Sequence, residues 1–230
     1  MVTAKDLFFA CKGLLFDCDG VLVDSDEAAA KAWNLWGSEF APGFDFARDV
    51  SPGRPAGDTV EELVEPPDFA RAKRALMLKE IDTAPMVRAI PGAVELLPSL
   101  PPTSWTVVTS AVPVVAHARL RAAGLPCPEN LVTADDVRHG KPAPDPYRLG
   151  AERLGVAPAD AVVFEDALAG VTSALAAGIG LTVGVGQRAV HSRAHLVVAD
   201  LSGIRYDGHL LDLRDAHLLR HPDPACRSAR

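Results

Sequence analysis

Short apolar runs alternate with helical stretches along most of this chain, and no other feature of the sequence restricts the fold so much. The runs are "GLLFD" (13–17), "WTVVTS" (105–110), "NLVTADD" (130–136), "AVVFED" (161–166) and "GLTVGV" (180–185). Between them lie "PVVAHARLRAAGL" (113–125), "DPYRLGAERLGV" (145–156) and "ALAGVTSALAAG" (167–178). Each of these carries apolar or alanine positions at helical spacing, and Gly124 and Gly178 close the first and last. Strands and helices in alternation, joined by short links, read as βαβ units on a parallel sheet covered on both faces.

One interval breaks the rhythm. From about Asp26 to Arg88 no strand-like run occurs, and "DEAAAKAWNLWGSEF", "GDTVEELVE" and "DFARAKRALMLKEID" read as helices punctuated by "APG" and "SPGRP". The predicted organisation is a core formed by residues 1–25 and 89–230, with a small helical domain over 26–88. The tail after about residue 205 shows no packing pattern and is expected to be peripheral.

Composition removes several functions. A formal charge of −7 argues against a general nucleic-acid binder. No run approaches membrane-spanning length, and Lys12 and Asp17 interrupt the one N-terminal stretch that imitates a signal core. Cys11, Cys18, Cys127 and Cys226 have no C-x-x-C spacing and fit reduced thiols. The expectation is a soluble, cytoplasmic monomer that binds a small molecule.

The polar groups gather where such sheets bind ligands, at the carboxyl ends of the strands. Asp17 and Asp19 follow the first run, Thr109 and Ser110 the second, and Glu165 and Asp166 close "VVFED". Lys141 lies in the loop "RHGKPAPDPY". Each alone has an ordinary explanation: a solvated turn, a helix cap before Pro113, a surface lysine, a polar strand exit. Their recurrence at successive strand ends favours one site. Carboxylates placed together need a cation, and hard oxygen ligands suit Mg²⁺.

In this order, "FDCDGVLVDS", "VVTSA", "GKPAPDPY" and "VFEDALAG" resemble the motifs of the haloacid dehalogenase superfamily, from about Lys12 to Asp200. The resemblance implies a Rossmann-like, doubly wound α/β core with the helical insertion as a cap. It implies Asp17 as nucleophile, and Asp19 as the acid and then the base. Asp166 would hold Mg²⁺ with Asp17 and the backbone carbonyl of Asp19, with Glu165 nearby. Thr109, Ser110 and the Ser110–Ala111 backbone would bind phosphoryl oxygens, and Lys141 would offset the charge of nucleophile and phosphate.

Within that family the residues select among chemistries. The dehalogenases lack the second aspartate, which is present here as Asp19. The β-phosphoglucomutases use a cap histidine where this chain has Ala28, Ala29 and Ala30, so a mutase is the second reading. Phosphonatase relatives need a cap lysine, for which only Lys31 is close. "GRPAGDTVEEL" and "AIPGAVELLPSLP" look like phosphatases of small sugar and polyol phosphates. Ala111 replaces a glycine frequent in those relatives, and Arg54 is a candidate for contacting substrate. Asp58 is expected to cap the helix at "TVEEL", Trp33 and Trp36 to fill the cap core, and His191 and His195 to lie on the surface. A non-catalytic relative would have lost a motif residue, and none is missing.

Overall fold

The computed structural model describes residues 7–222. Strand β1 (Phe8–Ala10) leads into β2 (Gly13–Phe16), and a β3–β4 pair (Val23–Asp24 with Arg88–Ala89) brackets a helical excursion. That excursion holds α1 (Asp26–Phe40), α2 (Phe46–Asp49), α3 (Ala56–Leu63) and α4 (Phe69–Thr83). The chain then runs through α5 (Ala93–Ser99), β5 (Trp105–Val107), α6 (Pro113–Ala122), α7 (Asp145–Leu154) and β6 (Ala161–Glu165). It continues with α8 (Leu168–Ala176), β7 (Leu181–Val185), β8 (Leu196–Val198), β9 (Arg205–Tyr206), β10 (Leu210–Asp212) and β11 (Leu218–Arg220).

The main sheet has the order β11-β8-β7-β6-β2-β5, parallel throughout except for β11. Side-chain alternation along β2 divides the core. Leu14, Phe16 and Cys18 enter a cluster with Leu97, Leu120, Phe164 and Val183. Leu15 points the other way, into a cluster with Val163, Tyr147, Ala151 and Ala174 from β6, α7 and α8. Both faces are therefore dry, which suits the nearly continuous apolar character of these strands. This is the doubly wound α/β fold expected from the alternating runs.

The helical excursion has its own apolar cluster, in which Trp33 packs edge-on against Trp36 with ring centroids 5.3 Å apart. The Trp36 indole N–H donates to the carbonyl of Ala72, tying α1 to α4. Both tryptophans are core residues, as their i,i+3 spacing predicts.

Four expectations need correction. "NLVTADD" forms no extended strand: Val132 makes only an isolated bridge with Val108 before Thr133 and Asp136 close a capping box. That box draws the backbone into a turn, so the apolar residues never lengthen into a ladder. Asp58 does not cap α3; the helix begins at Ala56 behind Pro55, and Asp58 is an exposed first-turn acid. The stretch from residue 205 to 222 is not peripheral. There β10 pairs with β1 on one side and β9 on the other, β11 extends the main sheet, and Tyr206, Leu211 and Leu213 are buried. Strands of two or three residues are too short to display a period-2 pattern, so their packing was invisible beforehand. Residues 223–230, including Cys226, lie outside the described residues.

His195 is only half-buried rather than a plain surface residue: its Nδ1 accepts the backbone N–H of Thr182 at 2.8 Å. His191 is exposed.

Candidate active site

The site is built on the last residues of β2, β5 and β6. Asp17 continues the side of β2 that carries Leu15, while Cys18 turns into the core, so Asp17 and Asp19 face the same rim. Gly20 follows with φ +79°, a conformation that suits glycine, and a Cβ there would lie 2.2 Å from Asp166 Oδ2. The residue after the D-x-D pair must therefore have no side chain for Asp166 to occupy its place.

Lys141 is fully buried, a rare state for lysine that requires partners on every side. Its Nζ donates to Asp17 Oδ1 at 2.7 Å, to Glu165 Oε1 at 2.8 Å and to the carbonyl of Val108 at 2.9 Å. Three donors meet three acceptors. Glu165 has further support from the Tyr147 hydroxyl at 2.8 Å and the Ala167 N–H at 3.0 Å. Burial works against the charge on Lys141, but Asp17 and Glu165 outweigh it, and the ammonium pKa is raised.

The acids show the opposite strain. Burial pushes the Asp17 carboxyl up to about 7 against the pull of Lys141, with Glu165 and Asp19 adding to the rise. Asp166 is pushed well up by burial and by the charges of Glu165 and Asp17, with Arg188 opposing. Asp17, Glu165 and Asp166 each offer an oxygen within 4.8 Å of the others. One buried ammonium does not balance three such carboxylates, and an all-oxygen donor set of this charge fits a hard divalent cation.

Thr109 and Ser110 sit on the loop between β5 and α6. The Thr109 hydroxyl accepts the Ala111 N–H at 3.1 Å, and the Ser110 hydroxyl donates to the carbonyl of Gly53 at 2.7 Å. The second bond joins this loop to the helical excursion. Neither residue caps α6, whose N-cap is Val112.

A cavity of about 690 Å³ opens above the acids, between the rim and the helical excursion. Arg54 lines it, with its guanidinium held by Glu62 at 2.7 Å. Lys31 is exposed and not part of that lining, which removes the one lysine close enough in sequence for Schiff-base chemistry.

Two arginines escaped the sequence reading. Arg119, on α6, is buried and pairs with Asp19 at 2.8 Å and Glu80 at 2.9 Å. Arg188 pairs with Asp166 at 2.9 Å and Asp26 at 3.0 Å. Arg119 lies in "ARLRAAGL" and Arg188 in "GVGQRA", where ordinary helix and turn residues surround them. For Arg119 the available signal was its helical spacing from Val115 and Ala116; Arg188, in a turn, carried none.

Residues 11–178 match the haloacid dehalogenase-like hydrolase family. The chain belongs to the haloacid dehalogenase-like hydrolases. Within that family it is similar to hexitol phosphatase A of Escherichia coli, 42% identical over 173 residues that cover 73% of this chain and 80% of the relative. It is 35% identical to glycerol-1-phosphate phosphohydrolase 2 of Saccharomyces cerevisiae, over 66% of this chain and 65% of that protein. A crystal structure of a hydrolase from Pseudomonas syringae superposes with a TM-score of 0.74 at 26% identity, covering 83% of this chain and 94% of the other. This member of the family is a phosphatase, a hydrolase of phosphate monoesters.

Proposed function

We propose that the protein hydrolyses a small sugar or polyol phosphate through an aspartyl-phosphate on Asp17, with Asp19 moving the protons and residues 26–88 acting as a cap. The observation that carries this reading is the buried Lys141 bonded to Asp17 and Glu165 beside Asp166, beneath an open cavity. That arrangement fixes a carboxylate nucleophile and surrounds it with charge suited to a phosphate dianion.

An oxygen of Asp17 attacks phosphorus, the ester P–O bond breaks, and Asp19 passes its proton to the departing oxygen. The ionised Asp19 then takes a proton from water as its oxygen bonds to phosphorus and the Asp17–phosphorus bond breaks. Lys141 offsets charge on Asp17 and on the phosphoryl oxygens. Thr109, Ser110 and the Ala111 N–H donate to those oxygens once a ligand replaces their present partners. Asp17, Asp166 and the backbone carbonyl of Asp19 would hold Mg²⁺, with Glu165 behind them. When bound, the ion supplies positive charge that offsets the repulsion between carboxylates and phosphate.

Substrate selection falls to the cavity wall contributed by residues 26–88, Arg54 among them. Hexitol and glycerol phosphates, the substrates in the relatives' names, have the size and hydroxyl content for a cavity lined by both polar and apolar side chains. No histidine lines the cavity among the described residues, which favours release to water over transfer back to a second hydroxyl. Reduced cysteines suit a cytoplasmic setting.

The test is phosphate release across sugar, polyol and nucleotide monophosphates, with and without Mg²⁺, beside Asp17→Asn. Mg²⁺-dependent release that the variant lacks supports the reading. Release undiminished in the variant, or strongest on nucleotides, would overturn it.

A further inference from the structure

Arg119 is a buried cation that the proposed chemistry leaves unused. It projects from the second turn of α6, and its two terminal nitrogens go to different parts of the molecule. Nη1 donates to Asp19 Oδ2 at 2.8 Å, and Nη2 donates to Glu80 Oε1 at 2.9 Å. Asp19 belongs to the rim, whereas Glu80 belongs to α4 in the helical excursion. The other oxygen of Asp19, Oδ1, accepts the Ser25 hydroxyl at 2.6 Å. Each carboxylate oxygen thus has one fixed donor and one lone pair left.

Alternative explanations fit less well. A surface ion pair would be worth little and would not be retained in a dry site, yet Arg119 is 6% exposed and Glu80 8%. A packing role alone would favour an apolar residue here, since a buried ion pair is a weak source of stability. An arginine fork that grips two carboxylates gives geometry above all.

We propose that Arg119 is a positioning residue for Asp19: it sets the orientation in which Asp19 takes the proton from water, and through Glu80 it makes that orientation depend on where the helical excursion sits. The inference rests on the proton-transfer role given to Asp19 above. In the pairing described, Asp19 presents a carboxylate with its free lone pairs aimed by two donors, the form needed in the water step. Substituting Arg119 would leave Asp17, Lys141 and the phosphate loop in place, so attack on phosphorus would continue while hydrolysis of the aspartyl-phosphate slowed.

Para-nitrophenyl phosphate separates the two steps, because its leaving group departs as an anion and needs no proton. For Arg119→Met the expectation is a fall of roughly 10- to 100-fold in kcat with a matching fall in KM, leaving kcat/KM within about threefold. Acid quenching should then trap a phosphoenzyme, formed together with an equal burst of nitrophenolate. Arg119→Lys should recover part of kcat. A merely structural role would lower kcat/KM along with kcat and trap no phosphoenzyme, and that result, or an unchanged kcat, would overturn the proposal. Should the methionine variant fail to fold, Glu80→Gln keeps the fold's shape and should show the same split to a smaller degree; kcat unchanged in it removes the link to the helical excursion. Asp19→Asn is the control: full turnover there would mean that the role of Asp19 itself is wrong, whereas a trapped phosphoenzyme there with none in the Arg119 variants would overturn only the positioning role.

Discussion

Glu165 occupies the space that a side chain at Gly170 would need: a Cβ there would fall 1.5 Å from Glu165 Oε1. Gly170 lies in the first turn of α8, so the helix approaches the end of β6 closely only because this position is bare. Glu165 has no alternative place, being held by Lys141, Tyr147 and the Ala167 N–H. Gly170→Ala should therefore push Glu165 off Lys141 or move α8. The expected cost is about 3–5 kcal/mol of stability, the range for breaking a buried pair, read by urea unfolding. A variant as stable and active as the parent would show that α8 yields freely.

Lys141→Met should be worse for activity than for folding. It strands Asp17 and Glu165 without their shared cation, and Asp17 can recover some stability by taking up a proton. Activity should fall by roughly 10²–10³ or more at neutral pH, with the loss mainly in kcat. Lys141→Arg should give no full rescue, because a planar fork does not fit three acceptors arranged around a point charge. Near-parental kcat in either variant would contradict the role assigned to this side chain.

Arg188→Ala should strengthen Mg²⁺ binding. The guanidinium now shares Asp166 Oδ2 at 2.9 Å and would repel an ion placed against that carboxylate. Removing it should lower the half-saturating Mg²⁺ concentration by roughly two- to tenfold, measured by titrating phosphate release or by calorimetry. A rise in that concentration would mean that Arg188 organises the acids more than it competes with the ion.

The cysteines provide a pH test independent of catalysis. Burial pushes the Cys11 thiol up to about 12 and the Cys18 thiol well above its ordinary value. In a Cys226→Ser background at pH near 8, a thiol reagent should therefore modify only the exposed Cys127 quickly. Cys11 and Cys18 should react after denaturation. Because the folded state holds the Cys11 proton more tightly than the unfolded chain, stability should be unaffected below about 9 and decline as pH rises from there towards about 12. Burial raises the Tyr206 phenol as well, which adds to the decline. Rapid reaction of three thiols in the native protein would contradict the burial of β1 and β2.

Much of this was legible in advance because the strands of a doubly wound sheet are buried on both faces and end at one rim. "GLLFD", "AVVFED" and "GLTVGV" gave themselves away as apolar runs, and their polar ends located Asp17, Glu165 and Asp166. What stayed hidden depends on contacts across long sequence distances. Arg119 meets Glu80 only because α6 and α4 pack together, and no local pattern encodes that meeting. Tyr147 lies in α7, and the hydroxyl that reaches Glu165 leaves no trace in periodicity. The strands β9, β10 and β11 were missed because too few residues alternate in each.

The pairing of β1 with β10 has a consequence for synthesis. Phe8 lies opposite Asp212, and Leu14 of the nucleophile's strand lies between Trp105 and Val162. β1 must wait for a partner about 200 residues further along, and β2 for partners about 90 and about 150 residues further along, whereas α1 through α4 can find one another early. Nascent chains stalled before Ala161 should thus carry a formed helical hairpin beside an N-terminal strand with a bare edge, the species on which a chaperone would act.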